Sequence, residues 1–313
     1  MIIYRNFDDI SADFTACIGF FDGVHAGHRF LLRHLRDVAA SRCHKSAVIT
    51  FANHPRKVVQ PDLQFGLIDS PEEKLRKLEE AGVDACFVLN FTEEVRQMTA
   101  EQFIRDFLAA RLHVRELLIG YDHRFGHNRA EGFDDYVRYG RECGIDVIQE
   151  PVFDGGDAGE GMKFSSSEIR RALADGNIAK ANLLLGTDYS ITGRVMHGHK
   201  LGRTLGFPTA NLQPLCADKI LPAIGVYAVM ATLDDGSRYP AMLNIGIRPT
   251  VDDTKNITLE VHVIGFKGDL YDHCVVISFV NRIRDERRMH NIDELREQLS
   301  RDYDSALQML GIR

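Results

Sequence analysis

From Thr15 onward, short apolar runs and amphipathic helical segments take turns, and that alternation constrains the fold more than any other feature. TACIGF, SAVITF, ACFVLNF, ELLIGY and DVIQEP are apolar runs of strand length. Between them lie RFLLRHLRDVAASR, SPEEKLRKLEEAG, TAEQFIRDFLAARL and GFDDYVRYGRECG, which repeat their apolar residues at helical spacing. In the first helix Leu31, Leu35 and Val38 are expected on one face. The second has Ser70 as N-cap, Pro71 at its first position, early acids and a terminal glycine. The strand runs are apolar without alternation, as strands buried on both faces are. A doubly wound parallel α/β sheet is expected, with ligands beyond the carboxyl ends of its strands.

After the polar loop DGGDAGEG come two short helices, SSSEIRRALADG and NIAKANLLLG, and then the period changes. From about Tyr189 the segments SITGRVMHG, GVYAVMATL, RYPAMLNIGI, TLEVHVIGF and CVVISFVNRI are rich in β-branched and aromatic residues. In TLEVHVIGF, Leu259, Val261 and Val263 face one way and Glu260 and His262 the other. A small antiparallel sheet or barrel is expected there, closed by a final helix from Ile292. The boundary is placed near Gly186, giving domains 1–186 and 187–313. A chain of 313 residues with 44% hydrophobic and 27% charged residues can build two cores. Its net charge of −7 supplies no global basic field, so no nucleic-acid partner is expected. No apolar run approaches the ~20 residues that span a bilayer, and the start lacks the pattern of a signal peptide. None of the six cysteines forms a C-x-x-C pair, which suits thiols in a reducing compartment. A cytoplasmic address, no membrane partner, and a monomer or weak homo-oligomer are expected.

The stretch GFFDGVHAGH, Gly19 to His28, joins a strand run to a helix through a glycine turn. A helix N-terminus carries unpaired N–H groups and a positive dipole end, which suit a phosphate. His25 and His28 lie at that end and add donors. A plain turn is the competing interpretation. Zinc is disfavoured, since no cysteine partner lies nearby. Far downstream, SSSEIR places Ser165 to Ser167 where they cap a helix and Arg170 where it can grip phosphate bidentately. Alone, that string is an ordinary capping box.

In chain order the two strings resemble the H-x-G-H and serine-rich signatures of adenylyl-transferring nucleotidyltransferases. Together with TFANHPRKVV and LIGYDHRFGHNRAEG they resemble the adenylyltransferase module of bacterial bifunctional riboflavin kinase/FAD synthetases, over nearly all of residues 13 to 186. There are departures. Ala52 and Asn53 stand where the family has aspartate and proline in T-F-D-P-H-P, and His123 replaces an aromatic. The resemblance implies attack by the FMN phosphate on the α-phosphate of ATP, with pyrophosphate expelled and Mg²⁺ neutralising the polyphosphate. The nucleophile is already ionised, so positioning and charge stabilisation suffice. By resemblance His25 and His28 serve the α-phosphate, Arg170 and Ser166 hold the β,γ-phosphates, and Gly19, Phe20, Asp22, Gly23, Ser165 and Asn128 complete the nucleotide site.

HGHKLGRTLGFPTANL, His197 to Leu212, is dense in glycine but is not a P-loop, because no lysine follows its last glycine. A glycine-rich connection is the bland alternative. The string resembles the flavokinase motif G-x-x-x-G-R-x-x-G-F-P-T-A-N, and LPAIGVYAV, AMLNIGIRPTV, LEVHVIGF, LYDH and IRDERRMHNIDEL follow in family order. The resemblance implies a Greek-key barrel that binds ATP and riboflavin. Gly198, Gly202 and Gly206 would admit the nucleotide, Arg203 would contact phosphate, and Pro208 would stiffen the turn. Thr209 and Asn211 would offer oxygens to Mg²⁺. Riboflavin's hydroxyl must lose a proton to attack the γ-phosphate, and the carboxylate implied is Glu260. The run RIRDERR, Arg282 to Arg288, is expected to be a solvated connection rather than a catalytic cluster, with the rim of a flavin pocket as the alternative. The whole is then a two-step enzyme, riboflavin to FMN and FMN to FAD. An adenylyltransferase for another phosphorylated metabolite and a flavin-sensing regulator are the alternatives.

Overall fold

The computed structural model describes residues 1–54, 58, 66–121, 123–127, 131–153, 155, 162–196, 206–248, 256–287 and 289–312. They divide into two units, Met1–Phe65 with Asp69–Phe164, and Gly66–Ile68 with Ser165–Arg313. In the first, β1 (Ile2–Tyr4), β2 (Phe14–Ile18), β3 (Lys45–Phe51), β4 (Ala85–Leu89), β5 (Val114–Gly120) and β6 (Asp146–Glu150) form one sheet in the order β1-β4-β3-β2-β5-β6. Every neighbouring pair is parallel. The edge strand β1 was not foreseen, being too short to carry a pattern.

Successive residues of each strand enter opposite cores, which is why the runs do not alternate. Along β2, Ala16 and Ile18 join one apolar cluster and Cys17 the other; along β4, Phe87 and Leu89 part from Cys86 and Val88 in the same way. Helices α1 (Ala26–Arg42) and α2 (Pro71–Glu80) cover one face, with Leu32, Leu35 and Leu78 in its cluster. The buried face of α1 centres on Leu32, Leu35 and Ala39, with Leu31 and Val38 half-buried at its rim, a rotation from the expected stripe. Several neighbouring stripes satisfy the spacing, and the sheet surface selects one. After the short α3 (Glu93–Gln97), the helix α4 (Ala100–Gln102) continues as a π-helical segment, Phe103–Ala109. There Ala110 N–H reaches back to the Arg105 carbonyl at 3.2 Å. That segment and α5 (Phe133–Glu142) cover the other face, burying Phe103, Ile104, Phe107 and Tyr136.

The second unit starts with α6 (Ser166–Ala174) and α7 (Ile178–Leu185). The Asn182 amide of α7 accepts the Tyr189 N–H and donates to the Phe279 carbonyl, both at 2.8 Å, so the helices are seated on the barrel that follows. The expected boundary near Gly186 falls at the αL cap of α7, while the unit itself begins at Ser165. Strands β7 (Ser190–Met196), β8 (Ala210–Pro214), β9 (Gly225–Thr232), β10 (Arg238–Arg248), β11 (Asn256–Val263) and β12 (Cys274–Arg284) close a barrel in the order β10-β11-β8-β7-β12-β9. With β12 returning beside β9, the four strands β12-β9-β10-β11 make a Greek key. Strand β8 is not among the expected strands, because polar ANLQP carries no strand signal. Its partners β7 and β11 recruit it. Val195, Leu212, Leu259, Val261, Ile277 and Phe279 are fully enclosed in the barrel wall. Gly193 is required there: a Cβ would sit 2.6 Å from Leu212 Cγ.

The helix α8 (Ile292–Met309) lies on the outside of the barrel, where Ala306 and Leu307 meet Ala228, Met242 and Ile264. The arginine run is solvated only in part: Asp285 to Arg287 are exposed, while Arg284 is held against the last helix. Arg284 grips Asp302 of α8 with contacts of 2.8 to 3.1 Å, and Asp302 is 1% exposed. Gln298 adds a bond to the same carboxylate at 2.7 Å. Removing one member of a buried pair strands the other charge. Asp302→Ala is therefore expected to cost about 3 kcal/mol, read as a lower urea midpoint for the barrel unit at unchanged m-value.

Candidate active sites

The turn between β2 and α1 opens at the switch point of the sheet. From β2 the chain leads to β3 on one side, and from the adjacent β5 it leads to β6 on the other. The crevice above such a pair of carboxyl ends is where open α/β sheets bind ligands. The turn is tightly constrained. Phe21, Gly23 and Val24 all have positive φ, at 56°, 88° and 39°. A β-branched residue in that region is strained and persists only where its surroundings hold it. At Gly19 a Cβ would press on the Phe21 ring at 3.1 Å.

His25 is the N-cap of α1, and its Nδ1 accepts the His28 N–H at 3.3 Å. That bond places the proton of the neutral ring on Nε2. The two imidazoles stack at 3.6 Å and 18°. Gly27 leaves room for the His25 ring, which a Cβ there would meet at 3.3 Å. Burial pushes the His25 pKa down to about 4; burial, helped by the neighbouring His25 and His123, holds His28 well below the usual range. His28 Nδ1 is enclosed and has no hydrogen-bond partner among the described residues. The first turn of α1 carries no acid. Two neutral imidazoles at a positive helix end thus offer N–H donors to an anion without a buried charge, and an arriving polyphosphate would raise their pKa values.

Asp22 is 3% exposed, and its carboxylate accepts the Asp69 N–H at 3.1 Å; Asp69 in turn pairs with Lys77 at 2.7 Å. The Phe20 ring lies against the Lys74 ammonium at 4.1 Å and the His54 ring at 4.2 Å. The departure at Asn53 has a local reason. Its amide donates to the Phe91 carbonyl at 3.0 Å and accepts the Phe91 N–H at 2.8 Å, tying the exits of β3 and β4 together. Beyond β5, Phe125 stacks on Tyr136 at 4.4 Å, and the Tyr136 hydroxyl bonds to both the N–H and the carbonyl of Phe125. An apolar cavity of about 40 Å³ opens between Ile18, Phe51, Phe91, Met98, Phe103 and Phe125. Asn128 lies outside the described residues.

In the second unit Ser165 caps α6 by accepting the Glu168 N–H at 3.4 Å, and Ser166 is the first helical residue. Arg170 Nε donates to the Gly66 carbonyl at 2.9 Å. On the barrel, register puts Asn211, Glu260 and Asn244 side by side on β8, β11 and β10. Paired residues share a face, so a carboxylate is flanked by two amides, all three half-buried. Thr209 precedes Asn211 by two positions. Pro208 accepts a bond from His262 Nδ1 at 2.8 Å, and the His262 ring packs between Phe207 and Tyr303. Gly206 has φ 86°, open to glycine. Gly198, Gly202 and Arg203 lie outside the described residues. Asn244 and Lys74 were missed. Asn244 was legible only through cross-strand pairing, while alternation along β11 set His262 beside Glu260 without revealing its bond to Pro208. Lys74 had a faint signal: with Lys77 and Leu78 it occupies the core stripe of α2, where charge is out of place.

His25 sets an acid limit. Its folded pKa of about 4 lies below the unfolded 6.5, so the unfolded chain binds the proton first. The stability this contributes is complete above pH 6.5 and is lost as pH falls toward 4. Relative to His25→Gln, the wild type should lose about 3 kcal/mol across that window, measured by denaturant titrations at several pH values.

The FAD synthetase family profile matches residues 8–167, and the riboflavin kinase profile matches residues 185–310. The bifunctional riboflavin kinase/FMN adenylyltransferase of Escherichia coli (strain K12) is 39% identical over 295 residues, 94% of this chain and 92% of that one. Its counterpart in Haemophilus influenzae is 36% identical over 289 residues, 92% of each chain. A crystal structure from Streptococcus pneumoniae, described as a macrolide-efflux protein, matches with a TM-score of 0.87 at 32% identity, over 97% of this chain and 98% of that one. Among the described residues of this chain no helix is long and apolar enough to cross a membrane. With both profiles matched in order and these relatives aligned over nearly its whole length, the chain belongs to the family of bifunctional riboflavin kinase/FMN adenylyltransferases.

Proposed function

We propose that this riboflavin kinase and FMN adenylyltransferase runs its two ATP-dependent reactions on separate constellations, adenylylation in residues 1–186 and phosphorylation in residues 187–313. The observation that carries the first half is the stacked neutral pair His25 and His28 at the N-terminus of α1, above the switch point of the sheet. Their N–H groups would stabilise the charge that grows on the α-phosphate as the FMN phosphate attacks, with Gly19 and Gly23 letting backbone approach and Phe20 and Asp22 shaping the turn. Ser165, Ser166 and Arg170 would hold the departing pyrophosphate.

In the barrel Glu260 would take the proton of the riboflavin hydroxyl while Thr209 and Asn211 hold the nucleotide. The register of Asn211 against Glu260 supports this assignment. Hydroxyl, amide and carboxylate oxygens are the hard donors that Mg²⁺ prefers, so Thr209 and Asn211 fit a magnesium ion bound with ATP. That ion would supply neutralisation of the polyphosphate charge. The free state of all six cysteines suits a cytoplasmic setting. The partners are small molecules, and the working form is a monomer or weak homo-oligomer.

Two variants separate the halves, with flavins resolved by chromatography after incubation with ATP and magnesium. Glu260→Gln should lower FMN formation by about 10²–10⁴-fold and leave FAD formation from supplied FMN intact. His28→Ala should do the reverse, lowering adenylylation by about 10²-fold. Loss of both activities in either variant would contradict separate sites.

A further inference from the structure

We propose, building on the histidine site above, that Lys74 is a positioning residue for adenylyl transfer: its ammonium clamps the ends of β2 and β3 and so holds the turn that carries His25 and His28. Lys74 sits on α2 and is 5% exposed. A buried ammonium normally sits on a carboxylate. This one donates instead to three uncharged oxygens, the Phe20 carbonyl at 3.2 Å, Thr50 Oγ1 at 3.1 Å and the Phe51 carbonyl at 3.0 Å. Thr50 Oγ1 itself donates to the Phe20 carbonyl at 3.0 Å, which closes a ring of bonds. The Phe20 ring covers the ammonium at 4.1 Å.

The location gives this arrangement its purpose. The β2–β3 ladder ends at Ile18 opposite Ile49, with one further bond from Gly19 N–H to the Ile49 carbonyl at 3.0 Å. Past that point the two chains separate, and Lys74 and Thr50 join Phe20 to β3. Phe20 immediately precedes Phe21, Gly23 and Val24, the residues with positive φ. Strained backbone persists only where neighbours over-determine it, and this clamp is the neighbour at its leading end. The remaining charges are also engaged. Lys77 pairs with Asp69, and the Asp22 carboxylate holds the Asp69 N–H. Desolvation draws the Lys74 pKa down to about 8, while Cys86, Asp22 and Asp69 act to raise it. Filling the same volume with methionine would avoid that cost, so the charge is kept for the oxygens it binds.

Lys74→Met tests this in the full-length enzyme, with His28→Ala run beside it. Misplacement of a turn that stabilises developing charge should lower kcat for FMN adenylylation by about 10²-fold, with KM for FMN and ATP moving less than about 3-fold. Riboflavin phosphorylation by the same sample should match wild type. Thr50→Val, which keeps shape and removes one member of the ring, should lower kcat about 10-fold. The double variant should be little worse than Lys74→Met alone, because the groups act as one unit. Wild-type kcat in a Lys74→Met enzyme with unchanged circular dichroism overturns the proposal, and so does a loss confined to KM. If Lys74→Met does not fold, Thr50→Val decides, and unchanged kcat there overturns it. Intact adenylylation in His28→Ala overturns the histidine site itself, whereas an impaired His28→Ala beside an intact Lys74→Met overturns only the role of Lys74.

Discussion

Sealing a parallel sheet on both faces is the constraint on which the rest of the first unit depends. Once Cys17, Val48 and Cys86 are buried on one side and Ala16, Ile49 and Phe87 on the other, neither face can accept a charged substrate. Only the strand ends remain, and at the β2–β5 boundary the connections diverge and leave a crevice. The β2–α1 turn is built at that edge, with left-handed residues, a helix N-terminus and two stacked imidazoles kept neutral by burial. Polar side chains reach the edge from outside the sheet. Lys74 and Asp69 come from α2 and its approach, and Asn53 from the exit of β3.

The barrel reaches a comparable result by another route. Its interior is filled by side chains, so its polar row stands on the outer surface, where Asn211, Glu260 and Asn244 meet across three strands. The helix α8 covers the neighbouring row, and Arg284 fixes that helix through Asp302. His262, two residues beyond Glu260 on the same strand face, joins this cover to the Phe207–Pro208 turn by holding the Pro208 carbonyl.

Strong local patterns were legible. The five longer parallel strands, the helices between them, the Ser70 and Ser165 caps and most of the barrel strands follow from periodicity and capping chemistry. The short edge strand β1 and polar β8 were not, since each exists only because a partner strand pairs with it. The π-helical Phe103–Ala109 looked like ordinary helix, because a shifted bond register leaves the apolar spacing nearly unchanged. Arg284 looked solvated like the rest of its run, because the acid that pairs with it lies on a distant helix.

The sequence by itself determined that this chain builds a two-sided parallel sheet and then a β barrel, and that His25, His28, Arg170 and Glu260 are the residues to suspect. Those conclusions rest on local spacing and on motif strings, both of which are written along the chain. Only the tertiary structure decided which groups surround them. It stacked His25 on His28, aligned Glu260 with Asn211 and Asn244, and turned Lys74 inward onto the oxygens of β2 and β3. The barrel row and the Lys74 contacts join residues far apart in the chain, and the energies of all three relations come from burial and hydrogen-bond geometry that no local pattern encodes.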